Sequence, residues 1–197
     1  MNIDFENLCS FFRQRGIELS LRDIAVISNH TRETVIPAHT IIMQQGKQVQ
    51  KLFFLNKGIV RLFRVHEDKD YTLGLISTND FVSTLLYLQY PVPSSCALET
   101  LTEVSVLEWD LEAVKAIKAQ VPRAYELELI MMDRLLMWLQ NAQIDAMYLT
   151  AEERYHKLIQ QQPELLRHLP LKYIAAWLNI HQDSLSRIRK AAVQKIS

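Results

Sequence analysis

The residues best placed to do chemistry with a large polar partner lie between Gln182 and Lys190. On a helix turning ~100° per residue, Arg189, Gln182, Ser186, Lys190, Asp183 and Arg187 fall within one arc of ~160°, while Leu185, Ile188, Ala191 and Ala192 share the other side. One side is suited to packing and the other to contact. A merely solvated helix face is usually Glu and Lys, whereas Arg, Gln and Asp pair with base edges in the major groove of DNA. The preceding segment supplies a supporting helix. Pro170 suits a first helical position, Ile174, Ala175 and Leu178 form an apolar stripe, Asn179 tolerates the left-handed conformation that ends a helix, and Ile180 plugs the turn. An ordinary surface hairpin of two short helices is the competing reading.

Other chemistries find little support. Cys9 and Cys96 are far apart and lack a C-x-x-C spacing, which argues against a cysteine-only zinc site or iron–sulfur cluster. His30, His39 and His66 have no H-x-H partner, so neither a cupin-like metal centre nor a haem ligand stands out. No nucleophile–base pair, glycine-rich phosphate loop or paired carboxylates rise above chance. The expectation is a non-enzyme with no catalytic residue, metal or cofactor. No run of about 18 apolar residues exists, and the start MNIDFENLCSFFRQRG lacks the order of a signal peptide, so a cytoplasmic location is expected.

The 197 residues, 49% hydrophobic, suffice for packed cores in one large or two small domains. The formal net charge of zero conceals a division. Residues 150–197 hold 8 Lys and Arg against 4 Asp and Glu, and residues 1–149 hold 14 against 18. A basic tail on an acidic body suits a modular nucleic-acid binder, since neutralising phosphate supplies much of its affinity.

The elements that must position the cationic face are legible in outline. Residues 4–30 read as one or two amphipathic helices through Phe5, Leu8, Phe11 and Phe12. From Glu33 to Trp109, short segments (40–44, 51–58, 59–66, 71–77, 103–109) alternate with Gly, Asn, Asp and Pro turn signals, the pattern of a β-roll or sandwich. A long helix is expected from about 122 to 149. Met131, Leu135, Trp138 and Ala142 step along it by fours and threes, and Leu149 follows one heptad on, with Ala146 adjoining the stripe, as a two-helix seam requires. Packing of that stripe on the chain's own roll is the other use, and Leu127, Ile130, Leu136 and Ile144 add a second apolar surface. Thr150 and Glu153 have the spacing of a capping box, which places a boundary at 149/150. The expected units are a sensor roll over 1–118, a dimerisation helix over 119–149 and a helix-turn-helix unit over 150–197, together an α+β chain.

This order resembles the superfamily of the cyclic-AMP receptor protein and the fumarate–nitrate reductase regulator, bacterial Crp/Fnr transcription factors, over nearly the whole length. The likeness is strongest to short-tailed regulators of the Bacteroidetes type, through EERYHKLIQQQPELLRHLPLKYIAAWLNIHQDSLSRIRK. The resemblance implies a homodimer held by its long helices, which binds double-stranded DNA through successive major grooves and contacts RNA polymerase. It assigns base reading to Gln182, Asp183 and Arg187, and phosphate contact to Ser184, Ser186, Arg189 and Lys190. With the sequence ending at Ser197, the β-hairpin wing usual in that family is expected to be missing or nearly so.

The effector pocket of the family corresponds to Phe81, Val82, Ser83, Ser94, Ser95, Leu139 and Gln140. Here the chain departs from the pattern. Where cyclic-AMP binders carry Gly-Glu for the ribose and Arg-Ser or Arg-Thr for the phosphate, this chain has Val82-Ser83 and Ser94-Ser95. A buried cyclic phosphate would lack its cation, so an effector other than cyclic AMP is expected, if there is one. The apolar segment 81–93 leaves room for an apolar effector, a partner protein or simple packing. A small-molecule-binding or protein-interaction module with a degenerate helix-turn-helix is the alternative to a DNA-binding regulator.

Overall fold

A computed structural model describes residues 5–83, 88, 90 and 92–194, with side chains as far as Ala191. Among the described residues, eight strands form two antiparallel sheets: β1 Arg32–Ile36, β2 Ile41–Met43, β3 Lys51–Lys57, β4 Val60–His66, β5 Lys69–Ile76, β6 Asp80–Phe81, β7 Ala97–Thr100 and β8 Val104–Asp110. One sheet has the order β1-β8-β3-β6 and the other β2-β7-β4-β5. The segments expected from alternation fall on β2, β3, β4, β5 and β8. Strands β6 and β7 are too short to show a period.

Strand β3 explains why the sheets stay together. Its run Leu52, Phe53, Phe54, Leu55 is buried throughout, because both of its faces are covered. Leu52 and Phe54 point to the helices with Leu107 and Trp109 of β8, while Phe53 and Leu55 point to the other sheet with Val104 and Val106. Full burial of each such side chain stabilises the fold by roughly 1.5–3 kcal/mol. Helices α1 Glu6–Arg13 and α2 Leu21–Asn29 lie on the helix side with α3 Leu111–Gln120. The expected N-terminal helical stretch divides at Gly16, whose φ of 82° stops α1, and α2 restarts at Ser20 through a capping box with Asp23. Helix α3 begins at Asp110, whose carboxylate accepts the Ala113 N–H at 2.8 Å.

The long helix, α4 Ala124–Tyr148, is 25 residues, about 37 Å. Pro122 precedes it instead of sitting in its first turn. The stripe expected to form a seam is turned toward the roll: Met131, Leu135, Trp138 and Ala142 line a cavity between α4 and the strands, and Leu149 is the residue that caps the helix C-terminus. The Trp138 ring lies on Gly74 of β5, where a Cβ would come within 2.6 Å of Trp138 Cζ2. The apolar stripe left open is Tyr125, Leu129, Met132, Leu136 and Leu139, one residue out of phase. One residue is ~100° of helix, and periodicity alone does not say which of two such stripes the roll covers.

Thr150 caps the next helix as its spacing requires. Its N–H and hydroxyl each reach Glu153 Oε2 at 2.8 Å, and its Oγ1 accepts the Glu153 N–H at 3.2 Å. These bonds hold the Glu153 carboxyl below the usual carboxylate range. Four helices follow: α5 Ala151–Gln161, α6 Pro163–His168, α7 Leu171–Leu178 and α8 Gln182–Gln194. Pro163 opens α6 from the first-turn position that its missing N–H permits. The core of these helices, with Tyr155, Leu158, Leu165, Ile174, Leu178 and Leu185, includes Ile59, Leu75 and Leu101 of the roll. The chain direction breaks at the expected boundary, while the packed core runs across it.

Thr150→Ala is expected to cost about 1 kcal/mol in urea denaturation near neutral pH. The contribution of the cap is present while Glu153 is ionised and fades as pH falls through its lowered pKa, so the difference from wild type should shrink in acid. Gly74→Ala should force α4 from the roll at a cost of roughly 1–3 kcal/mol, read by denaturation together with a change in tryptophan emission.

Candidate functional site

Helix α7 ends with Asn179 in the left-handed conformation, φ 57° and ψ 45°. The Ile180 N–H donates to the Ala175 carbonyl at 3.0 Å and the Asn179 N–H to that of Ala176 at 3.1 Å, a Schellman closure. The chain then turns through Ile180 and His181 into α8, where the Ser184 and Leu185 amides donate to the His181 carbonyl. Leu185 is fully buried and Ile188 packs beside it. Gln182, Asp183, Ser186, Arg187, Arg189 and Lys190 are exposed, and Ser184 is half-buried. The structure therefore presents together the polar side chains expected to share a face, with Leu185 and Ile188 beneath, while the Ala192 side chain lies outside the described residues. Arg187 makes one long contact, Nη2 to Ser184 Oγ at 3.4 Å.

Two arginines fix this helix pair from below. Arg154, one residue after Glu153, donates through Nη2 to the Leu178 carbonyl at 3.0 Å, occupying the C-terminal end of α7. Arg61 of β4 donates through Nε to Glu99 at 2.6 Å and forms a fork with both Asp70 oxygens at 2.8 and 2.9 Å. Its guanidinium lies 4.1 Å from the Phe63 ring centroid and 5.4 Å from that of Tyr173 in α7. Burial opposes its charge, yet Asp70 and Glu99 outweigh that and raise its pKa further. The sequence reading missed Arg61. Val60 and Leu62 on either side of it face the core between the sheets, so alternation put Arg61 on the outer face of β4, and nothing along the chain says that α7 covers that face.

The second site is a cavity of about 490 Å³ between α4 and the roll. Of the residues expected there, Phe81, Val82, Ser83, Ser95 and Leu139 line it. Ser94 and Gln140 do not. The Ser94 hydroxyl is spent on Cys96, donating to its carbonyl at 2.8 Å and accepting its N–H at 3.2 Å, and Gln140 is exposed. Ser83 Oγ likewise accepts the Phe53 N–H at 3.0 Å and donates to the Lys51 carbonyl at 3.1 Å. Residues 84–87, 89 and 91 of the apolar segment lie outside the described residues.

The charges at the cavity are ones the sequence reading did not select. Asp80 accepts from Arg134 Nη2 at 2.7 Å and from the Phe81 N–H at 3.0 Å. Burial pushes the Asp80 carboxyl up, against the pull of Arg134 and Arg15. Arg15 donates to the Phe11 carbonyl at 2.7 Å, with its guanidinium 3.8 Å above the Phe11 ring. Burial and the neighbouring Arg134 lower its pKa. The available signal was Arg134 itself, a cation inside the apolar run MMDRLLMW.

Strand β5 joins the two sites. Leu75 packs in the core of the C-terminal helices, and Gly74 and Ile76 on either side of it point to α4 and the cavity. No metal-competent group of three or more His, Cys, Asp or Glu occurs among the described residues, and no helix among them is long and apolar enough to cross a membrane.

Residues 33–120 match the model of the cyclic nucleotide-binding domain family. No curated protein is similar to the chain. Among solved structures, the c-di-GMP responsive global regulator CLP of Xanthomonas campestris is 16% identical over 88% of this chain and 91% of its own, with a TM-score of 0.68. A mutant of CooA from Carboxydothermus hydrogenoformans is 17% identical over 99% and 86%, also with a TM-score of 0.68. A transcriptional regulator assigned to the Crp/Fnr family from Eubacterium rectale is 17% identical over 94% and 88%, with a TM-score of 0.65. At such identities the shared property is the fold. The chain is thus an α+β protein with a cyclic-nucleotide-binding-type roll followed by C-terminal helices, the fold of Crp/Fnr-type regulators.

Proposed function

We propose that the protein is a dimeric, sequence-specific DNA-binding transcription regulator of the Crp/Fnr type that does not respond to cyclic AMP. The observation that carries this reading is the exposed row Gln182, Asp183, Ser186, Arg187, Arg189 and Lys190 on a helix anchored by fully buried Leu185. Arg187, Gln182 and Asp183 read base edges, while Ser184, Ser186, Arg189 and Lys190 hold phosphates. Residues 150–197 form the helix-turn-helix unit, 119–149 the dimerisation helix and 1–118 the sensor. The protein works in the cytoplasm and meets RNA polymerase.

The dimer seam follows the open stripe of α4, Tyr125, Leu129, Met132, Leu136 and Leu139, whose four- and three-residue steps suit two packed helices. Met132 and Leu139 also line the cavity. An effector there changes how the two helices meet, and with that the spacing of the two recognition helices. Cyclic AMP is a poor candidate. Ser83 and Ser94 are engaged with backbone, and no cation stands at 94–95 for a cyclic phosphate.

Binding to the DNA upstream of its own gene, measured against random DNA, should fall by about a thousandfold between roughly 50 and 200 mM salt. Arg187→Ala should cost about 1–3 kcal/mol of specific binding and leave the binding to random DNA nearly unchanged. Salt-insensitive or sequence-blind binding by the wild type would favour an interaction module with a degenerate helix pair. Leu136→Glu should halve the particle mass in sedimentation while helix content is retained. A variant of unchanged mass removes this face from the dimer.

A further inference from the structure

The cavity beneath α4 has a composition that selects among ligands. Its walls are Met43, Leu62, Ile76, Met131, Leu135 and Trp138 with their apolar neighbours, and its volume of about 490 Å³ lies within the usual range for small-molecule sites, ~300–1,000 Å³. Its only charged lining residues, among those described, are Asp80 and Arg134. Both belong to one cluster with Arg15, which senses each of them electrostatically while it rests on Phe11, another wall residue. Arg15 is held on the Phe11 carbonyl and ring and does not line the cavity, so Arg134 is the cation that faces it, paired with Asp80. Arg134 spends one N–H on Asp80 and has further donors on the same planar fork.

From this arrangement we infer that the cavity binds an apolar monocarboxylate, its hydrocarbon body among the Met, Leu and Trp side chains and its carboxylate on Arg134 beside Asp80. This deepens the effector part of the function proposed above by naming the ligand class. A neutral hydrocarbon would leave the remaining N–H donors of Arg134 without an acceptor, and a dianion would bring two charges to a single cation already paired with Asp80. A nucleotide would bring ribose and base polar groups to walls with few free partners. The Asp80 carboxyl, which burial already biases toward its protonated form, accommodates a second carboxylate next to it by taking up a proton.

The full-length protein is titrated calorimetrically, without DNA, with dodecanoate, dodecan-1-ol and cyclic AMP. Dodecanoate should saturate at one molecule per chain, dodecan-1-ol should bind at least about tenfold more weakly, and cyclic AMP should give no heat. Arg134→Gln should lower dodecanoate affinity to that of the alcohol and leave the alcohol unchanged, which also shows that the cavity remains intact. Leu135→Trp, which fills the cavity, should abolish binding of both. Equal affinity for acid and alcohol in the wild type, dodecanoate binding unaffected by Arg134→Gln, survival of binding in Leu135→Trp, or no binding at all would overturn the inference. Because DNA is absent from the measurement, such a failure is separate from a failure of DNA recognition, which the salt series reads.

Discussion

A guanidinium with little access to water governs how the two halves of the molecule meet. The Arg61 side chain is 12% exposed, and the loss of hydration is offset by charged hydrogen bonds to Glu99 and Asp70 and by the aromatic faces of Phe63 and Tyr173. The two ionic partners come from β7 and β5, which flank β4, so one side chain ties three adjacent strands of a sheet while its flat surface supports α7. Such a group is costly to strip of any partner, because the remaining charges would be left half-solvated. Its geometry therefore fixes the seat on which the C-terminal helices rest.

That seat is one strand thick. Successive residues of β5 look in opposite directions, so Leu75 meets the C-terminal core while Gly74 touches Trp138 and Ile76 borders the cavity. A close-packed strand cannot absorb a displacement on one face without passing part of it to the other. The long helix is tied at its far end as well, where Lys157 of α5 holds both oxygens of Asp145. On the reading proposed here, the route from an occupied cavity to the recognition helix needs no more than these two contacts, through the strand and through the helix end.

Much of this was legible in the sequence, and the failures have physical causes. Thr150 and Glu153 announced a helix start because a capping box is local chemistry, decided by residues three apart. The face of α8 was legible because Leu185 and Ile188 have no competing stripe. On α4 two apolar stripes differ by one residue, and only the roll decides which is covered. Residues such as Ser94 looked like pocket residues by position, while a hydrogen bond two residues away had already claimed the hydroxyl. Asp80 and Arg134 are 54 residues apart. No pattern along the chain joins them, and the pair exists only because β6 and α4 pack.

The sharing of one hydrophobic core between the roll and the terminal helices bears on modularity. Ile59, Leu75 and Leu101 are the roll's half of that core. Severed between Leu149 and Thr150, each piece would carry an uncovered greasy scar, one on the sheet and one under α7, and neither would be a ready-made cassette. Recombination that exchanged rolls between such chains would succeed only if the incoming roll brought a matching patch. The unit of inheritance in this fold is then larger than the C-terminal helices, and roll and helices are constrained to change together.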